Sequence, residues 1–291
     1  IRDRAYEMGV SDYISRPFDG KVVYQRVFNT IKLYAKQRRL ITLVTDQVYE
    51  KEKNNRIMVS ILSQIVEFRN GESGLHVEHI NKLSGMLLER LVQKTDKYHL
   101  TWTDQYLITV ASALHDIGKI GIDEKILNKP GKLTPEEFEL MKMHTMIGAS
   151  MLKRLEIYKE ERLVQIACEI CRWHHERYDG SGYPDGLKGE EIPIAAQVVS
   201  IVDVYDALTS PRVYKKAYSH EKAMQMILTG ECGVFQPLLL DCFCDIQEEV
   251  RKVTQEKSEK EGKISGFELT DLKETLKNSH LIGDLKPEKN H

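Results

Sequence analysis

Eight side chains of metal-ligand types are spread along this chain of 291 residues. They are Glu72, His76, His115, Asp116, His144, His174, His175 and Asp203. They occur in segments whose patterns are typical of helices, and soluble proteins seldom bury so many titratable groups unless something pairs with them. A cluster of divalent metal ions is the simplest such partner. The leading interpretation is therefore a metal-dependent hydrolase.

The adjacent pair His115-Asp116 follows an apolar helical segment, which should carry both side chains into the interior. A buried carboxylate beside a buried imidazole needs compensation, and an aspartate can bridge two ions while the histidine ligates one. Gly118 would allow close approach. Lys119 follows about one turn later and could neutralise a phosphate or donate to a leaving group. The alternative for this pair is a buried ion pair.

The other candidates are weaker when each is taken alone. Glu72 and His76 are four residues apart, so a helix would place them on one side, but a surface pair has the same spacing. Consecutive helical side chains diverge by about 100°, so His174 and His175 would serve two ions or lie where a helix ends. Asp203 stands in an apolar stretch, which is a poor place for a carboxylate without a cation.

A glycine-rich loop over 179–186 carries Tyr183 at its apex, and an exposed turn is its simpler interpretation. Arg212 and Lys215 form a small basic patch that could hold phosphate oxygens. A solvated surface pair is the alternative for these two residues. Asp206 is expected to cap or pair, and His79 is assigned a structural role.

The elements that must position these groups are predicted to be helices. The pattern indicates helices over 20–56, from 57 to the break at 70–71, and over about 73–93, 103–113, 135–144, 160–173 and 194–208. Thr134, Pro135 and Glu137 form a start signal, with Thr134 as the N-cap. Six residues are expected on a buried face of the second of these helices: Ile57, Ile61, Leu62, Ile65, Val66 and Phe68. Because segments rich in β-branched residues are few and short, the main domain is predicted to be all-α.

The predicted helix over 20–56 carries an apolar seam. Its members recur at alternating steps of three and four, with Arg38 filling one seam position: Val23, Val27, Ile31, Tyr34, Ile41 and Val48. This spacing favours a homodimeric coiled coil. A plain spacer helix is the alternative.

Composition is that of an ordinary soluble protein, with 41% hydrophobic and 30% charged residues. The net charge of −2 gives no global basic field, so neither a nucleic-acid polymer nor a membrane is expected as a partner. The five cysteines are an odd number without a secretory signal, which favours free thiols and a cytoplasmic location. Cys168 and Cys171 are expected to pack in the core. The first residue is Ile1, and we expect a fragment of a longer chain.

In combination, the motifs resemble the HD-GYP domain over about residues 52–250. The matching segments are H-D-I-G-K at 115–119, K-P-G-K-L-T at 129–134 followed by His144, H-H-E-R-Y-D-G-S-G-Y-P at 174–184, and D-V-Y-D-A-L-T-S-P-R-V-Y-K at 203–215. Two positions depart from the pattern. Val213 stands where proline is common and His79 where arginine is common, and these changes bear on substrate preference rather than on the ligands.

The resemblance implies an all-α HD-superfamily bundle that hydrolyses cyclic di-GMP to the linear dinucleotide pGpG, to GMP, or to both. The implied metal ligands are the seven residues His76, His115, Asp116, His144, His174, His175 and Asp203. Glu72 matches the additional carboxylate of members that bind three metals instead of two. Lys119 and Asp116 would be catalytic, and Arg212, Lys215 and Tyr183 would contact the substrate. Iron or manganese is the expected metal.

The first 38 residues resemble the C-terminal end of a response-regulator receiver, through the segment G-V-S-D-Y-I-S-R-P-F-D at 9–19. This implies the domains 1–38 (receiver remnant), 39–56 (linker helix), 57–250 (HD-GYP) and 251–291 (charged tail). A complete receiver upstream would link the protein to a sensor kinase and two-component signalling. Two further functions stay open: a phosphohydrolase of another (cyclic di)nucleotide, and a catalytically silent module that binds cyclic di-GMP.

Overall fold

The computed structural model describes residues 9, 13–14, 16–69, 75–211 and 217–264, with side chains as far as residue 258. The α-helices of these ranges are α1 (Gly20–Arg69), α2 (Leu75–Lys94), α3 (Trp102–Ser112), α4 (Glu124–Leu127), α5 (Pro135–Lys153), α6 (Arg162–Trp173), α7 (Ile194–Thr209), α8 (His220–Leu228), α9 (Pro237–Asp245) and α10 (Gln247–Ile264). Short 3₁₀ turns span Ile117–Gly121 and Gly189–Glu191. No strand occurs in the described ranges, which confirms the all-α prediction.

The chain divides into two compact units, Ile1–Ile57 and Met58–His291. Helix α1 is continuous over 50 residues, from the predicted start at Gly20 through the polar segment 49–56 to Arg69. The apolar side chains of the predicted seam, such as Val27, Ile31 and Ile41, are 50 to 63% exposed in the single chain.

The buried face predicted near the end of α1 is confirmed at Val66 and is wrong at its other members. Val66 is buried together with Ser63, whereas the others are 46 to 85% exposed: Ile57, Ile61, Leu62, Ile65 and Phe68. Ser63 lies two positions from Ile61, and Val66 two positions from Phe68, which is roughly 200° around the helix. The core therefore contacts the side of α1 that carries Ser63 and Val66, opposite the side that carries Ile61 and Phe68.

Helix α2 is central to the second unit and packs against α3, α7, α9 and α10. Its residues Ile80, Leu83, Leu87 and Leu91 recur at steps of three and four and are fully buried, as expected for a helix that is enclosed by neighbours. Helix α6 packs against α3, α5 and α7. These contacts bring the ends of α3 and α6 close to the middle of α5 and α7.

Local signals explain most of the helix boundaries. The Thr134 hydroxyl accepts from the Glu137 backbone N–H, and the Glu137 carboxylate accepts from the Thr134 N–H, so α5 begins at Pro135 as predicted. Thr101 and Asp104 make the same reciprocal cap at the start of α3. The five cysteines, all within the described ranges, form no disulfide, and Cys171 is fully buried on α6. Among the described helices, none combines the length and the apolar character that crossing a bilayer would need.

Candidate metal centre

The structure brings seven of the predicted ligands to one place. His76 lies in the first turn of α2, and His115 and Asp116 follow the C-terminus of α3. The remaining ligands are His144 in the middle of α5, His174 and His175 directly after α6, and Asp203 in α7. Glu72, Arg212 and Lys215 lie outside the described residues.

A first group of ligand atoms comes from His76, His115 and Asp116. The Nε2 atoms of His76 and His115 are 3.4 Å apart, and Nε2 of His115 lies 3.3 Å from Oδ2 of Asp116. Oδ1 of Asp203 lies 3.9 Å from the same nitrogen of His115, and its side chain is 13% exposed. Asp203 therefore stands beside this group.

The second group comprises Asp116, His144, His174 and His175. Oδ1 of Asp116 is 3.2 Å from Nε2 of His144 and 3.8 Å from Nε2 of His174. His174 is the residue at which α6 ends, and the ring centroids of His174 and His175 are 4.0 Å apart. The sequence left open whether these two histidines serve two ions or lie where a helix ends. The structure places them at the end of α6, and both imidazoles belong to the second group.

Hydrogen bonds fix which ring nitrogens are available to a metal. The Nδ1 atoms of His115, His144 and His174 lie 2.9, 2.8 and 2.9 Å from the carbonyls of Ser112, Met141 and Ile170. A carbonyl only accepts, so each Nδ1 must carry the proton. In a neutral ring the Nε2 atom that points into the site then presents a lone pair, which is the form that binds divalent metals.

The spacing of these nitrogens fits a shared ion. Nε2 of His76 and of His115 are 3.4 Å apart, and Nε2 of His144 and of His174 are 3.5 Å apart. Two nitrogens at about 2.0–2.1 Å from one ion are about 3.0–3.4 Å apart for coordination angles of about 90–110°. Lone pairs that face each other at this distance are stabilised by a cation between them.

Asp116 occupies the centre because it belongs to both groups. Its Oδ1 is buried and accepts no hydrogen bond from the residues that the structure describes, and the side chain is 10% exposed. Burial alone would raise the pKa of this carboxyl, but the Lys119 ammonium and the neighbouring His115 hold it well below its usual range. An ionised carboxylate with one unsatisfied oxygen between two groups of imidazoles is suited to bridge two cations.

The second group of histidines is held neutral by its surroundings. Burial lowers the pKa of His144, and burial together with the neighbouring imidazoles lowers that of His174 and His175 well below the usual range. Neutral imidazoles are metal ligands, whereas imidazolium ions are not. The donor set therefore fits divalent metal ions.

Lys119 and its turn form one side of the site. The 3₁₀ turn places the Lys119 ammonium 2.6 Å from Oδ2 of Asp116, with 15% of its side chain exposed. The same turn is held by Arg69, the last residue of α1. Its guanidinium donates to the carbonyls of Lys119, Ile120 and Ile122 at 3.2, 2.6 and 2.9 Å.

Gly118 is required where this turn meets α5. A Cβ at this position would lie 1.9 Å from the His144 carbonyl oxygen and 2.5 Å from the Gly148 nitrogen. No side chain fits at that separation. Glycine here lets the turn carrying Lys119 lie directly against the turn of α5 that carries His144.

The loop over 179–186 folds back onto α6 through Glu176. This buried carboxylate accepts from the backbone N–H groups of Asp185, Gly186 and Leu187 at 2.8 to 3.1 Å. Tyr183 is thereby stacked on His175, with ring centroids 4.8 Å apart, and burial raises its pKa. The loop is thus part of the wall of the site rather than an exposed turn.

A second polar cluster lies behind His76, and sequence reasoning recognised only part of it. Asp206, in α7, accepts from Nδ1 of His76 at 2.6 Å, from His79 and from Lys257. The pairing expected for Asp206 is found. Lys257 was missed, although it follows Val250 and Val253 at the spacing of the buried face of α10. We call Asp206, His76, His79, Lys257 and Ser210 the Asp206 network.

Glu67 is a further buried carboxylate that sequence reasoning missed. It is 2% exposed on α1, and its Oε1 lies 3.7 Å from Nε2 of His76. Its signal in the sequence is an acidic residue next to Val66, one turn after Ser63, on the narrow strip of α1 that meets the core.

Comparison with known proteins gives a consistent result. Residues 61–231 match the family model described as an HD domain. A probable cyclic di-GMP phosphodiesterase of Vibrio cholerae is 35% identical over 91% of this chain and 62% of its own length. The cyclic di-GMP phosphodiesterase response regulator RpfG of Xanthomonas campestris is 35% identical over 83% of this chain and 63% of its own.

A third relative carries a different name. The 3′3′-cGAMP-specific phosphodiesterase 2 of Vibrio cholerae is 36% identical over 65% of this chain and 34% of its own length. The chain thus spans less than two thirds of each of these three relatives.

Proposed function

Because the chain belongs to the HD domain family, we propose that it is a metal-dependent phosphodiesterase that hydrolyses cyclic di-GMP to pGpG, to GMP, or to both. The observation that carries the proposal is the pair of imidazole groups that share the buried carboxylate of Asp116. Relatives named as cyclic di-GMP phosphodiesterases support the substrate.

His76, His115, Asp116 and Asp203 would hold one ion, and Asp116, His144, His174 and His175 a second. Glu72 would serve a third ion by its resemblance to three-metal members. Such ions supply positive charge to a phosphate and ionise water near neutral pH. Imidazoles with carboxylates suit iron or manganese.

The chain's own residues would complete the reaction. The Lys119 ammonium, held beside Asp116, would donate a proton to the leaving 3′-oxygen as the P–O bond breaks. Arg212 and Lys215 would hold the second phosphate by analogy with the family pattern. Tyr183 would contact the substrate from its stacked position on His175.

The proposal is tested with protein purified anaerobically and supplied with Mn²⁺ or Fe²⁺. We expect release of pGpG or GMP from cyclic di-GMP, and no release by the His115→Ala/Asp116→Ala double variant. Metal content measured on the same samples should fall in that variant. Full turnover by the double variant would contradict the assignment, as would wild-type protein that binds the substrate without cleaving it.

A second candidate substrate is 3′3′-cGAMP, which the name of one 36% identical relative supports. The two cyclic dinucleotides share their phosphates and differ in one base, so the metal-facing residues cannot distinguish them. Competition between equal concentrations of the two substrates gives the ratio of their kcat/KM values. A ratio that favours 3′3′-cGAMP would replace cyclic di-GMP in the proposal.

We also propose that α1 forms a homodimer. The side chains of its predicted seam from Val27 to Val48 are exposed in the single chain. Sedimentation should give a dimer for the wild type and a monomer for an Ile31→Glu/Ile41→Glu variant. A wild-type monomer at all concentrations would favour the plain spacer.

Finally, we propose that the protein is the output part of a response regulator controlled by a sensor kinase. The support is the resemblance of residues 9–19 to a receiver and the name of the Xanthomonas relative. A parent protein should take up phosphate from acetyl phosphate on an aspartate that precedes residue 1 of this chain. A parent that takes up none would contradict the proposal.

A further inference from the structure

Helix α10 contributes one buried cation to the Asp206 network. The Lys257 side chain is 7% exposed, and its ammonium donates to Oδ1 and Oδ2 of Asp206 at 2.8 and 3.0 Å. It also lies 2.7 Å from the Ser210 hydroxyl. An ammonium has three donors, and these three contacts fix both oxygens of one carboxylate relative to α7.

The carboxylate in turn orients a predicted metal ligand. Oδ2 of Asp206 accepts from Nδ1 of His76 at 2.6 Å, and Oδ1 accepts from His79 one turn further along α2. With Nδ1 of His76 committed to this bond, its Nε2 points toward Nε2 of His115 at 3.4 Å. A continuous path of hydrogen bonds thus leads from α10 to the site.

From this path we infer that Lys257 is a positioning residue for His76 and acts through Asp206. The inference rests on the proposed function, because it assumes that His76 binds a metal ion. Lys257 lies beyond residues 61–231, the part matched by the family model. Helix α10 therefore helps to orient a metal ligand in this chain, in addition to packing against α2.

Helix α10 also supplies a control residue for Lys257. Glu256 stands next to Lys257 and forms a 3.0 Å ion pair with Lys82 of α2, with the two side chains 62 and 49% exposed. Both ion pairs join α10 to an inner helix, but only that of Lys257 reaches the site. Lys257→Met and Glu256→Gln therefore separate an effect on the metal from a loss of helix docking.

The experiment titrates metal-free protein with Mn²⁺ by calorimetry, at a temperature where thermal unfolding shows each variant to be folded. Loss of a group behind a ligand costs about 10–100-fold in metal affinity. We expect this weakening for Lys257→Met, and an unchanged affinity for Glu256→Gln. In cyclic di-GMP turnover, Lys257→Met should raise the half-saturating Mn²⁺ concentration by the same factor and leave KM for the nucleotide unchanged.

Ser210→Ala is the milder variant and serves if Lys257→Met does not fold. It removes the hydroxyl that contacts both Lys257 and Asp206, and it should weaken Mn²⁺ binding in the same direction by a smaller factor. Folded variants with wild-type affinity would overturn the inference, and so would an equal loss in Glu256→Gln. Wild-type protein that neither binds Mn²⁺ nor cleaves the nucleotide would instead overturn the proposed function.

Discussion

Asp116 and Asp206 are two buried aspartates among histidines, yet their surroundings differ. Asp206 is 1% exposed, and both of its oxygens accept hydrogen bonds. Asp116 is 7% exposed, and its Oδ1 accepts none from the described part of the chain. His76 and His79 donate to Asp206, whereas His115 and His144 bond backbone carbonyls through Nδ1 and turn Nε2 toward Asp116.

This difference separates the two roles that a buried carboxylate can have. The Asp206 network contains its own cation, Lys257, and satisfies its carboxylate within the protein. Among the described residues, Lys119 supplies the one ammonium that contacts Asp116, on one oxygen, and the imidazoles supply no positive charge while they are neutral. A polar cluster that is complete holds the fold together, and one that is incomplete is suited to bind an ion from solution.

The largest effect is expected for Asp116→Asn. Removal of the shared carboxylate charge should lower turnover of cyclic di-GMP by more than about 100-fold, the upper limit for groups that act behind a ligand. Mn²⁺ should raise the Tm of the wild type, since it binds only the folded state, and leave the Tm of the variant unchanged. The exposed Asp96→Asn is the matched control. Retained activity in Asp116→Asn would contradict the metal-binding role that distinguishes Asp116 from Asp206.

The free energy of unfolding of the metal-free protein should fall more in Asp206→Asn than in Asp116→Asn. Asp206→Asn leaves the Lys257 ammonium buried without its counter-charge, which typically costs about 3–5 kcal/mol. Asp116→Asn also removes the counter-charge of Lys119, but that side chain is 15% exposed against 7% for Lys257. The variant also removes an oxygen that accepts no hydrogen bond from the described residues, so the metal-free protein should lose less. Urea unfolding with a chelator present measures both free energies of unfolding. Equal losses would show that the two clusters stabilise the fold alike.

The pH dependence of metal-free protein should reveal the neutral histidines. The pKa values of His174 and His175 lie well below the ordinary 6.5, so the unfolded chain takes up protons that the folded chain excludes. Stability is retained above about pH 6.5 and falls as the pH decreases from there, by about 1.4 kcal/mol per pH unit for each histidine. Urea unfolding between pH 7.5 and 5.5 measures the slope. A flat profile would mean that these imidazoles are not held neutral.

The smallest effect is expected for Glu176→Gln, which alters the wall of the site and neither aspartate. The amide oxygen can still accept, but the amide NH₂ group cannot, so at least one of the three backbone N–H groups loses its acceptor, at a cost of about 1–2 kcal/mol in stability. Turnover should fall by less than about tenfold, with Mn²⁺ affinity unchanged. A loss of Mn²⁺ affinity as large as that expected for Lys257→Met would contradict the distinction between the wall of the site and the support of a ligand.

The sequence predicted the helices well because they follow local rules, whereas the role of the seven residues as metal ligands stays a prediction. Thr134 and Glu137 mark a helix start by spacing alone, and His115-Asp116 follows an apolar helix that must be buried. The side of α1 that faces the core could not be predicted, since apolar residues occur on more than one side. Lys257 was missed because its partner Asp206 is 51 residues away, and only tertiary packing brings the two together.

The three hydrogen bonds of Arg69 join the end of α1 to the turn that carries Lys119. Helix α1 ends at Arg69, and the guanidinium of this residue bonds the carbonyls of Lys119, Ile120 and Ile122. A displacement of this last turn must either break the three hydrogen bonds or move the backbone of Lys119 with it. The position of the proton donor proposed for the leaving oxygen is thereby coupled to the last turn of α1.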